Sequence, residues 1–296
     1  MLIVGGALTG MKSVRFAVCA FIALTISVSV ASAASTQVRL AFGDDGTREA
    51  TARTTFQLGG AALFSGQIEI GVLENTENTA TYASAGLTFG PASVDVGRPR
   101  SVLDIPRLAM GSGIAPNTRR ARFQTLAGGA ALDGELGAGV RLLTESGPFR
   151  IGTSIHGHRT TDEAIVGVVG EYSFDTLLGL AEITVYGGAE TDGAEERYRL
   201  GTAWTRGRAT ASVDILSDGQ PDGVSVSQLA VSVDLTQAFR LGVSGTREDT
   251  SGVSDPTNRL GIGAEFSTEQ GVYLRGGLDG ADSDDMAFDV SIGFEF

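Results

Sequence analysis

The sequence MAFDVSIGFEF, residues 286–296, alternates without interruption between apolar residues and small or polar ones. Side chains along a β-strand point to opposite faces in turn, so this strand has one apolar face and one polar face. Its last residue is the aromatic Phe296. A terminal strand of this kind predicts a transmembrane β-barrel, because the last strand of such a barrel closes against the first and its apolar face meets lipid.

The same alternation recurs along the chain after residue 33. It is found, among other places, in residues 64–72, 149–155, 229–235 and 260–266. No comparable stretch there has the i, i+3, i+4 spacing of an amphipathic helix, and no run is apolar for the ~18 residues that a membrane helix needs. The pattern therefore predicts an all-β chain that forms a transmembrane antiparallel β-barrel. A large soluble β-sandwich or solenoid is the alternative.

The number of alternating segments predicts a barrel of about 16 strands, with 14 as the alternative. About 17 segments qualify, whereas a single-chain bacterial barrel has an even number of strands. The extra segment lies within residues 119–157, because residues 119–126, 136–143 and 149–157 cannot all be separate strands.

The connections between these segments alternate in length when they are counted back from the C-terminus. Residues 246–256 and 280–285 are long connections, and residues 236–237 and 267–270 are short ones. Outer-membrane barrels have this asymmetry, with short turns at one end and longer loops at the other. The long set is rich in Asp, Glu and Gly. It is interpreted as solvated loops, with divalent-cation bridging to lipid phosphates as the alternative.

The N-terminal region predicts a secretory signal over residues 1–33, which leaves residues 34–296 as the outer-membrane barrel. Lys12 and Arg15 precede a mostly apolar run, and Ala31-Ser32-Ala33 is a small-x-small cleavage site. An N-terminal membrane anchor is the alternative, which the shortness of the apolar run disfavours.

Two consequences follow from this signal. Translation starts at Met1 or at Met11, because a positively charged start follows Met11 directly. Cys19 is the only cysteine of the chain and lies within the apolar run. The mature chain therefore has no thiol, and we expect neither disulfides nor thiol chemistry.

Charge and residue types exclude several function classes. The formal net charge is −13, which disfavours nucleic-acid binding. His156 and His158 are the only histidines. No nucleophile–base motif and no phosphate-binding glycine loop ahead of a helix is present. We therefore expect no enzyme activity, no cofactor and no metal site.

One stretch, AGLTFGPASVDVGR over residues 85–98, resembles a strand, tight turn and strand of Gram-negative general porins that end in a Gly-Arg pair. Residues 166–174 and then 177–187 resemble a later hairpin of the same family, and the resemblance covers nearly the whole mature chain. It implies an inward-folded loop after the fifth strand, which in this chain is residues 99–117. Phe296 matches the C-terminal aromatic that the outer-membrane assembly machinery recognises in that family.

The resemblance implies an outer-membrane channel through which small hydrophilic solutes and ions diffuse passively. It also implies a homotrimer, contacts with outer-membrane lipid and lipopolysaccharide, and recognition of the C-terminal strand by the barrel-assembly machinery. A barrel that hydrolyses lipid or peptide, and a barrel with a structural or adhesive role, are the alternatives.

The candidate pore residues are charged residues that an outward, apolar face would not accept. Arginine at the bilayer midplane costs roughly 2–4 kcal/mol, so the charges on alternating strands should face a water-filled lumen. By resemblance Arg98 is a wall arginine that faces the inward loop, although it shares the strand parity of Val94 and Val96. The inward loop of that family is acidic, whereas in this chain Asp104 is the only acidic residue of the corresponding loop. The candidates for the constriction and lumen are Arg53, Arg98, Arg100, Asp104, Arg119, Arg120, Arg122 and Arg141.

Overall fold

The architecture of the chain was analysed in a computed structural model. The structure describes residues 35–43, 48–57, 64–74, 78–104, 125–176, 181–220, 223–250, 256–269, 271–281 and 286–295. The predicted secretory signal, the centre of the predicted inward loop and the terminal Phe296 lie outside these residues. The prediction of a signal over residues 1–33 therefore stays a prediction.

Sixteen strands form one closed antiparallel barrel in which each strand pairs with its neighbours in sequence and β1 pairs with β16. This confirms the predicted all-β barrel and its strand number. The strands are β1 (Thr36–Gly43), β2 (Arg48–Gln57), β3 (Phe64–Glu74), β4 (Thr79–Phe89), β5 (Ala92–Arg98), β6 (Leu136–Ser146), β7 (Phe149–His158), β8 (Ala164–Asp175), β9 (Glu182–Thr191), β10 (Glu196–Arg206), β11 (Ala209–Ser217), β12 (Val224–Asp234), β13 (Phe239–Thr250), β14 (Thr257–Ser267), β15 (Val272–Ala281) and β16 (Met286–Glu295).

The C-terminal strand closes the barrel as its alternation predicts. Val38 of β1 lies opposite Phe294 of β16, and Leu40 lies opposite Ile292. Residues that face each other across antiparallel strands lie on the same side of the sheet, so the register joins the apolar faces of the first and last strands. A slip of one residue would turn every apolar side chain of β16 towards the lumen.

The two faces of the wall differ in chemistry. Large apolar side chains on alternate positions are exposed on the outside, for example Leu260 (76%), Ile262 (62%) and Leu200 (62%). The positions between them point inward and carry mostly small, polar or charged side chains, with apolar clusters where the connection from β5 to β6 packs on the wall. An apolar exterior around a polar interior is the arrangement expected of a barrel whose outer surface meets lipid.

The uncertain region of the sequence contains two strands and a short helix. Residues 136–143 and 149–157 lie in the strands β6 and β7, as expected. The third segment, residues 119–126, is not a strand where the structure describes it: Leu126 begins the helix α1, Leu126–Leu132. Thr125 caps this helix, its hydroxyl accepting a hydrogen bond from the Gly128 N–H. No helix in the described part of the chain is long and apolar enough to cross a membrane.

The predicted alternation of connection lengths holds in part: six residues separate β11 from β12 and β13 from β14, whereas two separate β10 from β11 and four separate β12 from β13. The strands run further into the connections than the sequence pattern suggested, so that four residues separate β15 from β16 and β9 from β10. On the opposite end of the barrel, six residues separate β8 from β9. The connection from β5 to β6 is by far the longest.

The lipid-facing assignment of the outer wall predicts the effect of a charge at its centre. Ile262 lies in the middle of β14 and is 62% exposed on the outer face. We expect Ile262→Arg to destabilise the barrel by about 2–4 kcal/mol in a bilayer, because the guanidinium loses its hydration there. Urea unfolding in lipid vesicles measures this change. Ile262→Val is the matched control and should shift the midpoint far less. Equal effects of the two substitutions would contradict a lipid-facing position.

Candidate functional site

An inward-facing arginine on β6 is held by carboxylates of the neighbouring wall. Arg141 lies directly opposite Asp95, with its guanidinium 2.9 Å from that carboxylate and 3.4 Å from Glu69. Asp95 also accepts a hydrogen bond from the Gln67 amide, which in turn accepts one from Arg53 at 2.7 Å. Arg141 and Asp95 are almost fully buried. These contacts make the wall from β2 to β6 one connected network of charges.

Arg100 joins this network from just beyond the end of β5. Its guanidinium lies 2.8 Å from Glu49 and 3.5 Å from Glu69, and it is 5.3 Å from the centre of the Tyr82 ring. Burial by itself lowers the pKa of Arg100, but Glu49 and Glu69 outweigh it and raise that pKa above its usual value. Arg100 therefore stays a cation whose charge is compensated locally.

A second network lies on the wall formed by β9 to β11. The guanidinium of Arg199 is bound to the Asp214 carboxylate at 2.6 Å and lies 5.7 Å from the centre of the Tyr186 ring. It also donates a hydrogen bond of 2.7 Å to the carbonyl of Leu103, which belongs to the connection from β5 to β6. Arg199 thus ties that connection to the wall.

A third network crosses four strands at the end of the barrel that carries the turn from β12 to β13. Asp234, Arg240, Glu265 and Arg275 lie in one row, each opposite the next. Arg240 is bound to Asp234, and Arg275 is bound to Glu265. Charges of alternating sign therefore face each other across successive strands.

Both described ends of the long connection lie on the inner wall. Residues 99–104 follow it past β6 to β10, and they contain a single 3-10 turn, Val102–Asp104, whose Val102 and Leu103 are fully buried. The Val102 N–H donates to the Ser154 hydroxyl at 3.3 Å. Gly152 and Gly167 leave the space for Val102, because a Cβ on either glycine would lie 3.1–3.2 Å from its methyl groups.

The helix α1 occupies the other end of the connection. It packs on a buried apolar cluster that includes Tyr82, Leu136 and Ile165. Its first N–H, that of Leu126, donates a 2.6 Å hydrogen bond to the buried carboxylate of Glu190 on β9. The Thr125 hydroxyl lies 3.5 Å from the Asp104 carboxylate, so the two described ends of the connection meet. The path of residues 105–124 lies outside the described residues, and the inward fold of the loop as a whole stays a prediction.

A cavity of about 400 Å³ opens at the mouth beside α1. Carboxylates dominate its lining, with Arg197 and His158 as the basic groups. The acidic residues of the lining are Asp133, Glu135, Asp192, Glu195, Asp218 and Glu248. The mouth is therefore more acidic than the wall below it, where the charges pair.

The structure brings some of the predicted site residues together. Arg53, Arg100 and Arg141 belong to one network, and Asp104 lies at the foot of α1. Arg98 lies opposite Ala83, whose side chain is on the outer face, so the strand register alone does not direct Arg98 to the lumen. The constriction roles of Arg98 and of the other candidates stay predictions. Arg119, Arg120, Arg122 and Phe296 lie outside the described residues.

Sequence reasoning did not single out three inward carboxylates: Asp95, Glu49 and Glu190. Asp95 sits between two valines in β5, and Glu49 belongs to a segment without clear alternation. Glu190, near the end of β9, has the parity of Glu182 in the same strand. Extending that parity to the end of β9 would have identified it as an inward residue.

The two histidines have different surroundings. His156 is fully buried on β7, and its ring nitrogens have no hydrogen-bond partner in the described residues. His158 lies near the rim, where its ring is 3.2 Å from the Thr160 hydroxyl and 3.6 Å from the Glu135 carboxylate. The described residues contain no group of three or more His, Cys, Asp or Glu side chains arranged to hold a metal ion.

Comparison with known proteins identifies the fold. No sequence profile of a known family and no curated protein matches the chain. Solved structures do match it, among them a multiply substituted variant of the porin from Rh. blastica, with a TM-score of 0.64 and 15% identity over 89% of this chain and 98% of that one. A triple mutant of Rhodopseudomonas blastica porin has a TM-score of 0.63 at 15% identity, with the same coverage. At this identity the likeness shows the fold, and the chain has the porin-type barrel.

The buried pair of Arg141 and Asp95 predicts strong coupling between the two residues. We expect Arg141→Gln to destabilise the barrel by about 3 kcal/mol, because it leaves the Asp95 carboxylate buried without its cation. Adding Asp95→Asn should recover part of that loss. A double-mutant cycle on urea unfolding in vesicles measures the coupling. Strictly additive effects would show that the pair contributes no interaction of its own.

Proposed function

We propose that this chain forms a water-filled channel in the outer membrane of a Gram-negative bacterium, through which small hydrophilic solutes and ions diffuse passively. The observation that carries the proposal is a closed 16-strand wall, apolar outside and charged inside. Barrels of this size leave an aqueous channel, whereas eight-strand barrels are filled by side chains. The likeness to porin structures supports it. Selection would come from the pore diameter and the charges that line it.

The proposal extends to the surroundings of the channel. The lipid-facing wall would contact outer-membrane lipid and lipopolysaccharide, and the chain would be exported by its N-terminal signal. Phe296 would be recognised by the barrel-assembly machinery. A homotrimer is the assembly that the porin resemblance favours. The protein would act without a cofactor and without enzyme activity, and it would bind no nucleic acid.

The constriction is proposed to lie where the long connection meets the wall. Arg100 and Asp104 are at the described start of that connection, and Arg53 and Arg141 are on the wall beside it. Arg98 precedes the connection directly, and Arg119, Arg120 and Arg122 belong to the part of it outside the described residues. Paired charges such as Arg141 and Asp95 would shape the pore, while their net contribution to its field would be small.

Reconstitution in planar bilayers tests the channel. We expect stepwise increases of current that are ohmic and that grow with salt concentration, because a wide aqueous pore conducts hydrated ions. Hydrolysis of lipid and peptide by the same preparation would be measured in parallel. A folded barrel that inserts without conducting would overturn the proposal, and hydrolysis without conductance would favour the enzymatic alternative.

A substitution at Arg98 tests the proposed constriction. Arg98→Ser removes a cation that would lie at the narrowest part, so we expect a change in single-channel conductance and a shift of the reversal potential towards cations in a salt gradient. Arg208→Ser is the matched control, since Arg208 lies in the exposed turn between β10 and β11. An unchanged conductance and reversal potential in Arg98→Ser would remove Arg98 from the constriction.

A further inference from the structure

The outer face of the barrel changes from apolar to polar near the end that lies opposite the chain termini. On β13 the outward series runs through Leu241, Val243 and Gly245 to Arg247. Val243 is 58% exposed, and Arg247, which has the same parity, is exposed as well. Arg247 lies three residues before the end of β13, so it belongs to the wall and not to a loop. A cation therefore stands directly beyond the apolar band of this strand.

Two polar side chains flank Arg247 on the neighbouring strands. Ser227 of β12 and Asn258 of β14 lie directly opposite it, so the three side chains form one row on the outer face. Asn258 is exposed and Ser227 is half-buried. We call these three residues the Arg247 patch. It presents a guanidinium, an amide and a hydroxyl, each with hydrogen-bond donors, to a ligand outside the barrel.

The guanidinium of Arg247 is available to such a ligand. Its ion-pair partner among the described residues is Asp249, at 3.5 Å, and the two side chains are 59% and 47% exposed. Exposed ion pairs of this kind contribute little to stability, so they exchange readily for other partners. Arginine has five N–H donors in a planar fork that matches the oxygens of a phosphate. The Arg247 patch therefore fits a phosphate group.

The next row towards the middle of the wall has a gap between two apolar side chains. Leu229 and Leu260 lie on either side of Gly245 and are 54% and 76% exposed. Among the described residues, a Cβ on Gly245 would meet only the Leu260 Cδ2 within 4 Å, at 3.7 Å, so the space above the glycine is open. We call this space the Gly245 slot. Its carbon-lined sides suit an acyl chain.

The surroundings of the Arg247 patch favour a lipid headgroup over a dissolved anion. Val243 and Ile262 lie opposite each other two rows from Arg247, and their 58% and 62% exposed side chains face hydrocarbon. An outward arginine costs much less near the membrane interface than at the midplane, and at the interface its neighbours are headgroups. A dissolved phosphate would occupy the patch and leave the Gly245 slot empty.

We propose that the Arg247 patch and the Gly245 slot together bind one molecule of lipopolysaccharide through its lipid A part, with a phosphate on Arg247 and an acyl chain in the slot. Arg247 follows Gly245 by two residues, or about 7 Å along the strand, so one lipid reaches both. This inference rests on the proposed function, because lipopolysaccharide surrounds this end of the barrel only in an outer membrane, with the chain termini towards the periplasm.

Native mass spectrometry of the folded barrel in detergent tests this binding. The probes are lipid A with its phosphates and the same lipid A after dephosphorylation, both in EDTA so that divalent cations cannot bridge. We expect Arg247→Gln to weaken the binding of phosphorylated lipid A about tenfold, because charge-assisted hydrogen bonds are lost, and to leave that of the dephosphorylated form unchanged. Arg206→Gln is the matched control, since Arg206 is an exposed arginine that ends β10 at the opposite end of the barrel, and it should change neither.

Two further variants separate the parts of the site. Gly245→Leu fills the slot without changing the charge, so it should weaken the binding of both forms of lipid A several-fold. Asp249→Asn removes the anion that competes for Arg247, so it should strengthen the binding of the phosphorylated form alone. Heat-modifiable gel mobility shows whether each variant has folded, and only folded barrels enter the comparison.

Four results would overturn the inference. Equal losses in Arg247→Gln and Arg206→Gln would mean that charge attracts the lipid without a site. Equally tight binding of phosphatidylglycerol and lipid A would mean that any lipid phosphate suffices. Competition by millimolar inorganic phosphate, with no effect of Gly245→Leu, would mean an anion site without a lipid. Dissociation of an oligomer in Arg247→Gln would make the patch a contact between subunits. The readout needs no ion flow, so failure of the channel proposal would be seen separately.

Discussion

Backbone hydrogen bonding in lipid is the constraint on which this structure depends. An N–H or C=O group in hydrocarbon has no water to bind, so a sheet can cross a membrane only if its two edges pair with each other. The pairing of β1 with β16 meets this requirement. The period-two pattern of every strand follows from it, since closure fixes one face to lipid and the other to the interior. The alternation of apolar and polar residues at the C-terminus therefore reflects the requirement that the barrel close.

Closure also determines how charge is handled inside. Side chains on the inner face of neighbouring strands lie about 4.5–5.5 Å apart where they are directly opposite. The register uses this spacing to place Asp95 against Arg141 and Glu265 against Arg275. Many charges of the wall are therefore paired, whereas carboxylates outnumber basic groups at the mouth. The strand register, more than the number of charged residues, thus determines which charges of the lumen are paired.

The sequence predicted the architecture and only part of the interior. The strand number, the closure of the barrel and the identity of the lipid-facing residues follow from the alternation of apolar and polar residues. This is a local pattern, and it recurs on every strand because each strand needs an apolar outer face. The partners of the arginines depend on cross-strand register, which one sequence does not specify. Asp95 was missed for that reason. The helix α1 was missed because its seven residues are stabilised by contacts with Glu190 and Tyr82, which are distant in sequence. The end of β9 was misplaced because polar residues such as Glu190 continue the strand on its inward face.

Because Asp104 and Thr125 are in contact, the connection from β5 to β6 leaves the wall and returns to it at nearly the same place. A segment that leaves and rejoins the barrel at one point can change in length or sequence without moving any strand relative to its neighbours. Mutations in it would not be constrained by the hydrogen-bond ladder. Such a barrel has two parts under different constraints: a cylinder whose strands are fixed by their pairing, and an insert whose length is not.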